Sequence, residues 1–413
     1  MFSKARLESG SSGGTCDEYG FVVPEQHVQK YREHSQKMAN RRQEIRDQWT
    51  VLLKEIKEQG LQIDASITSR SEAIEAFGAK TRSCRKLVRG PVIQGIPPEM
   101  RPTLWPLLCG VEKARAARGE QVYPSLLQRC EGKERNRELE LDLDRTFPGH
   151  PLLDRESAHG DLGIASLHRV LNSYALHNPQ VGYCQAMNFI AGVLLIMDLH
   201  EEDCFWIISH ISDSILPNHF AAPMLGSQVD NKILKLLARK HLPAVWQHLD
   251  RLGLDLAMLS GQWFLCLFCN RMPCETVCRI WDLVFCKGPQ AIFQVALAAL
   301  KLCGGMLAAA EDLGEAMEGL RDFETSLFDA DALLECAAID FAGIGDVTKL
   351  REQLLPDARK EWQEYRRKMA AYQLQENVRK GKERGRELLM SVYSNVNSAV
   401  SSLTSEHPPS AGG

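Results

Sequence analysis

The stretch Leu139-Glu140-Leu141-Asp142-Leu143-Asp144-Arg145-Thr146-Phe147-Pro148 can be read in two ways, and the choice sets the fold class. Leu139, Leu141 and Leu143 alternate strictly with acidic residues, a period of two that by itself argues for a half-buried strand. Aspartate is poor in strands, and no strong strand partner lies nearby. Helical patterns dominate on both sides, so residues 139–144 are read as helix, stopped by Thr146, Phe147 and Pro148. At helical spacing Asp142 and Arg145 stand about one turn apart, and the carboxylate can lie beside the guanidinium. An arginine oriented this way is always charged and carries its donors in a planar fork suited to phosphate oxygens. The same Asp-x-x-Arg pair also occurs as an ordinary surface ion pair, worth roughly 0.2–0.5 kcal/mol.

Outward from this stretch the helical signal continues. Ile45, Trp49, Leu52, Leu53 and Ile56 recur at helical spacing within a charged segment at 25–59, and Gly60 is a plausible stop. A second helical segment at 68–77 leads into a basic run at 80–89. Residues 95–105, Gly-Ile-Pro-Pro-Glu-Met-Arg-Pro-Thr-Leu-Trp, combine turn formers with prolines suited to a helix start. Arg101 and Trp105, four apart, would share one helical face, the arginine stem covering a buried indole. Amphipathic helices follow at 164–176, from 186 onward, at 263–268, at 275–285 and at 290–307, separated by turn residues such as Pro217, Pro243, Gly253, Pro273 and Gly288. Residues 187–199 are too short an apolar run to span a bilayer, and 291–310 is interrupted by Gln294, Lys301 and Gly304-Gly305. Both read as core helices, and no transmembrane segment is expected. No strand pair stands out, so the predicted class is all-α. Beyond residue 347 the sequence turns charged again: one or two polar helices at 350–386, with Pro356 breaking or starting one, then a thin Ser-rich amphipathic segment at 392–403.

Composition narrows the function. The chain has 413 residues, 44% hydrophobic and 25% charged, enough for a large core and two subdomains within one domain. A formal net charge of −4 argues against a general nucleic-acid binder. The 13 cysteines are odd in number and scattered, with no secretory signal ahead of them, so a reducing, cytosolic setting is expected. Cys266, Cys269, Cys274 and Cys278 invite a zinc reading, but only four residues separate the two pairs, and apolar residues interleave them. They read as core residues. Cys184 beside Gln185 lacks the local signature of a cysteine hydrolase, and no Gly-x-x-x-x-Gly-Lys loop is present to cradle a nucleotide. Gln185, entering an apolar helix, either satisfies the helix start or presents an amide that can accept from a water and donate to a phosphate oxygen.

Four motifs together resemble the TBC domain of Rab-type GTPase-activating proteins. The first runs from Gly95-Ile96-Pro97 through Arg101 to Trp105, and the second is Leu139, Asp142, Arg145, Thr146, Phe147 and Pro148. The third is Gly182, Tyr183, Gln185, Met187 and Asn188. The fourth is Trp263, Phe264, Leu267, Phe268, Pro273, Arg279, Ile280, Trp281 and Asp282. Asp17-Glu18-Tyr19-Gly20-Phe21 also looks like a segment found upstream of some TBC domains. The resemblance implies a two-subdomain, all-helical domain at 90–345; composition and periodicity place around it a disordered N-terminus at 1–15, a helical extension at 16–89, charged helices at 346–390, and a Ser-rich segment with a flexible tail at 391–413. The resemblance also implies a GTP-bound Rab-family GTPase as partner, with GTP and Mg on that partner and no cofactor of the chain's own. Arg145 would be an arginine finger and Gln185 a glutamine finger. Asp142, Arg101, Trp105, Tyr183 and Asn188 would brace the site or touch the GTPase. The setting implied is cytoplasmic, with peripheral association on endomembranes, and the flanking helices are candidates for packing on the domain or for a helical protein partner. One residue departs from the family pattern, Ala186, where glycine usually follows the glutamine. In an ordinary first helical turn alanine fits; at a positive φ its methyl costs roughly 1 kcal/mol. A catalytically weak or inactive Rab-binding adaptor is the alternative reading.

Overall fold

Helical periodicity with turn residues between the segments leaves the chain one economical way to bury its apolar faces, helix on helix. The computed structural model describes residues 14–58, 90–131 and 136–403. Its first helices are α1 (Val28–Glu58), α2 (Arg101–Cys109), α3 (Val111–Arg118), α4 (Val122–Cys130) and α5 (Arg137–Leu143). The middle of the chain forms α6 (Gly160–His177), α7 (Met187–Ile196), α8 (Glu201–His210), α9 (Leu225–His241), α10 (Pro243–Arg251) and α11 (Leu256–Leu265). The last are α12 (Cys274–Lys287), α13 (Gln290–Leu302), α14 (Gly304–Ala309), α15 (Leu313–Thr325), α16 (Ala330–Ile339) and α17 (Val347–Leu403). Among the described residues the sole β pairing is an isolated bridge between Cys16 and Val22. The segments predicted at 68–77 and 80–89 lie outside the described residues, as do most of the first 15 and the last ten.

The chain divides into two compact units, residues 1–355 and residues 356–413. In the first, one group of helices gathers around α6, which packs on α4, α5, α7 and α8. A second gathers around α13, which packs on α9, α11, α12, α14 and α16. Every residue from Ala291 to Leu300 is buried, as expected of a helix apolar all round its circumference. Between the groups lies α2, in contact with α8 on one side and α12 on the other. Trp105 of α2, Trp281 and Phe285 of α12 form its aromatic seam, with ring centroids 5.5–5.8 Å apart. The charged extension α1 packs on this unit: Ile45 and Trp49 are buried, and the Trp49 indole donates to the Gly95 carbonyl at 2.7 Å. The second unit is helical, with Trp362 and Tyr365 stacked at 5.5 Å and Glu376 paired to Arg379.

Three helix boundaries differ from the sequence reading, and the first is the helix predicted at 290–307, which divides at Cys303 into α13 and α14. The helix predicted at 263–268 ends at Leu265, because Leu267 and Phe268 take positive φ of 46° and 67°. Both side chains of that turn are buried in the core. Pro356 neither breaks nor starts a helix but sits inside α17, at the loss of one backbone hydrogen bond.

Candidate functional site

The site is built on the short helix α5. Asn136 caps it: its side-chain oxygen accepts from the backbone N–H of Glu138 at 3.0 Å and of Leu139 at 3.3 Å, two amides with no intrahelical partner. Leu139 and Leu143 are buried and Leu141 is half exposed, so the strand-like alternation resolves into an i, i+4 pair on the core face of a helix. Arg145 lies past the end of α5, in the turn. Its N–H donates to the Asp142 carbonyl at 3.2 Å, and the Thr146 hydroxyl donates to the same carbonyl at 2.6 Å. The Asn188 amide of α7 then donates to the Thr146 hydroxyl at 2.8 Å. The turn carrying Arg145 is thereby tied to the start of α7.

Within this frame the two ends of the Asp142–Arg145 pair have opposite environments. The Arg145 side chain is 66% exposed and the Asp142 side chain 8%, with Nη1 and Oδ1 3.6 Å apart. The other Asp142 oxygen accepts from the Tyr183 hydroxyl at 2.8 Å. Burial, and then the bond to Asp142, raise the Tyr183 phenol well above its ordinary range, so it stays a donor. Asp142 is therefore a buried, anchored carboxylate behind an exposed, permanently charged fork.

Gln185 is exposed, and its side chain has no hydrogen bond to another described residue. Its neighbours are held on both sides: Tyr183 by Asp142, and Ala186 through its N–H to the Asn188 side-chain oxygen at 3.1 Å. Ala186 is the N-cap of α7 with φ 94° and ψ −28°. The departure from glycine therefore falls at a left-handed position, where the Cβ is strained. Ala186→Gly should raise stability by about 0.5–1 kcal/mol, strain relief outweighing the extra freedom glycine gains when unfolded. Urea denaturation checks this; an unchanged or lower midpoint at equal slope would show that the methyl carries no strain. Beside it, burial pushes the Cys184 thiol up to about 11, away from nucleophilic chemistry.

Thus Asp142, Arg145, Tyr183 and Asn188 meet in one network, with Gln185 beside it, whereas Arg101 and Trp105 do not join it. Both are wholly buried, so neither touches a partner. Arg101 donates to Glu275, Asp282 and the Tyr19 hydroxyl, and Trp105 donates to Asp282 at 2.8 Å. Burial works against the Arg101 charge, but Asp282 and Glu275 outweigh it and hold its pKa well above the ordinary value. The four clustered cysteines are buried, and among the described residues no group of three or more His, Cys, Asp or Glu could hold a metal.

Thr146 and His150 do work that sequence reading did not assign to them. Thr146 is the hydroxyl that joins the two motifs, and its place in the Thr-Phe-Pro signature was its only mark. His150 is 2% exposed; its Nε2–H donates to the Tyr19 carbonyl at 2.8 Å and its Nδ1 accepts from the Leu152 N–H at 3.1 Å. Both nitrogens are satisfied only when the ring is neutral, and burial pushes its pKa from 6.5 down to about 4, the Tyr19 carbonyl pulling weakly the other way. A base with a depressed folded pKa contributes its full stability above the unfolded value and loses it as pH falls from 6.5 toward 4. Between pH 7 and pH 5 the native chain should lose about 2 kcal/mol that a His150→Gln variant keeps. Equal pH slopes for the two proteins in urea denaturation would refute this.

The profile of the Rab-GTPase-TBC domain matches residues 98–307. Human growth hormone-regulated TBC protein 1 is 38% identical over 234 residues, 54% of this chain and 64% of that protein. The zebrafish growth hormone-regulated TBC protein 1-A is 36% identical over 237 residues, 57% of this chain and 66% of that protein. The chain thus spans just under two thirds of the length of these relatives. Among solved structures, the Chlamydomonas flagellar RabGAP TBC domain superposes with a TM-score of 0.60 at 28% identity, covering 78% of this chain and 99% of that one. The Ypt/Rab-GAP domain of Gyp1p superposes with a TM-score of 0.54 at 20% identity, covering 71% of this chain and 98% of that one, a likeness of fold alone.

Proposed function

This chain belongs to the Rab-GTPase-TBC domain family, and we propose that it is a GTPase-activating protein for a GTP-bound Rab-family GTPase, acting through Arg145 and Gln185. The observation that carries this reading is the contrast between the exposed Arg145 fork and the buried Asp142 behind it. A surface ion pair has no use for a desolvated, tyrosine-anchored carboxylate; a charge that must enter another protein's site in a fixed orientation does. The nucleotide and its magnesium belong to the partner. Arg145 neutralises the charge that grows on the phosphoryl oxygens in the transition state, and the Gln185 amide orients the attacking water. The chain completes a partner's active site and has no reaction of its own, and it acts in the cytoplasm and at endomembrane surfaces, regulating vesicle trafficking. Among the described residues no helix is long and apolar enough to cross a membrane.

The test is single-turnover GTP hydrolysis across a broad panel of purified Rab proteins. At least one should be accelerated; failure across the panel would sink the proposal. The strained Ala186 gives specific support to a second reading, a Rab-binding adaptor without activity, since it bears directly on Gln185 placement. That reading requires GTP-dependent Rab binding with no rate increase, and any measurable acceleration decides against it.

A further inference from the structure

The turn that carries Arg145 is clamped by a segment more than a hundred residues earlier and outside the matched range 98–307. Asp17 folds that segment into a tight loop: its carboxylate accepts from the N–H groups of Tyr19 and Phe21 at 2.9 Å each, and its backbone N–H donates to the Phe21 carbonyl at 2.8 Å. Gly20 takes φ +97°, and a Cβ there would come within 3.2 Å of the His150 ring. This brings the Phe21 ring edge-on to Phe147 at 5.0 Å and against His150 at 4.7 Å. Phe147, two residues after Arg145, is itself at a left-handed φ of 49° and packs on Phe189 of α7 at 5.4 Å. Gly192 of α7 clears the room, since a Cβ there would lie 3.1 Å from Phe147 and from Thr146. At the other end the Tyr19 hydroxyl is held by Glu275 and by Arg101 at 3.0 Å.

We propose that residues 19–21 are a latch and that Phe21 is a positioning residue for Arg145, fixing the finger's turn by wedging Phe147 against α7 and anchoring it through Tyr19 to the buried Arg101 network. The role toward Arg145 rests on the Rab-activator reading; the clamp on the turn does not. A strained Phe147 persists only where its surroundings over-determine it, and Phe21 supplies one of the two aromatic faces that do so. Phe21 is partly buried and is not one of the fully buried core residues. Its removal loosens the turn without unfolding the domain, and a finger displaced by about 1 Å loses rate far more than it loses partner affinity.

The experiment uses the full chain as native protein, Phe21→Ala, Phe21→Leu and Phe21→Tyr. Hydrogen exchange read by mass spectrometry should speed up at least about tenfold over residues 143–152 in Phe21→Ala, with α13 unchanged and Phe21→Tyr protected like the native chain. With a Rab that the native chain accelerates, the saturating single-turnover rate should fall about tenfold in Phe21→Ala while the half-saturating concentration moves less than about twofold, and Phe21→Tyr should restore the rate. Unchanged exchange over 143–152 overturns the latch, and an unchanged saturating rate overturns the role of Phe21 toward Arg145. If Phe21→Ala exchanges faster throughout, the milder Phe21→Leu decides between a local and a global effect: exchange raised everywhere again overturns the proposal. If the native chain accelerates no Rab, the activator reading has failed, and the exchange measurement still decides whether the segment holds the turn.

Discussion

Replacing Arg145 by alanine should reduce the acceleration of GTP hydrolysis by about 10³–10⁵, the usual worth of an arginine finger supplied in trans. That is roughly 4–7 kcal/mol of transition-state stabilisation. Nothing in the free protein pays a comparable amount, because the side chain is 66% exposed and its one ion-pair partner among the described residues lies 3.6 Å away. With the guanidinium in water, and with Asp142 keeping its bond from Tyr183, the pair contributes at most about 1 kcal/mol. The unfolding free energy of Arg145→Ala in urea should therefore match the native protein within about 1 kcal/mol. Arg145→Lys should be nearly as inactive, since an ammonium is a point charge and cannot span two phosphate oxygens with parallel donors. Single-turnover hydrolysis beside urea denaturation measures both halves. A variant that keeps its rate, or loses it together with its stability, would remove Arg145 from the role.

How much of this was legible in the sequence depends on how far each residue's partners lie along the chain. The helix at residues 139–144 could be read against its own alternation, because aspartate propensity and the flanking periods are local signals, and α5 is there. What closes the turn around Arg145 was not legible: Asn188 lies 42 residues from Thr146, and the clamp is that of Phe21 on Phe147. Ala186 shows the same limit. Sequence posed two alternatives, ordinary helix start or positive φ, and only the approach of α5 to α7 places the residue at φ 94°. Asp17-Glu18-Tyr19-Gly20-Phe21 was visible as a turn with two aromatics able to dock, but not what it docks on. Its contacts include His150, Phe147 and Glu275, more than a hundred residues away, and Arg101, 82 residues from Tyr19. The carboxylate partners of Arg101, Glu275 and Asp282, lie 174 and 181 residues from it.

Arg101→Ala should produce the converse of Arg145→Ala, a large loss of stability from an arginine that never meets the partner. Its guanidinium donors go to Tyr19, to both oxygens of Glu275 at 2.8 and 3.0 Å, and to both oxygens of Asp282 at 3.4 and 3.2 Å. With no exposed atom surface, the fork has no water to fall back on, and neither has Asp282. Removing the arginine leaves Asp282 with only the Ile96 N–H and the Trp105 indole, and leaves a second carboxylate beside it. Breaking a buried pair in this way costs about 3–5 kcal/mol, because the remaining charge is uncompensated. Against the roughly 5–15 kcal/mol by which domains are stable, that is about a fifth or more of the total. The denaturation midpoint should drop by about 10 °C. Arg101→Lys should fall between, restoring the charge but not the two-oxygen grip on each carboxylate. The loss also reaches the finger, because Tyr19 is anchored on the same guanidinium, so the folded fraction of Arg101→Ala should show a lowered saturating rate with near-native partner affinity. A midpoint within about 1 °C of the native protein would mean that the two carboxylates are relieved by protonation or by water, and Arg101 would then be no keystone of α2 and α12.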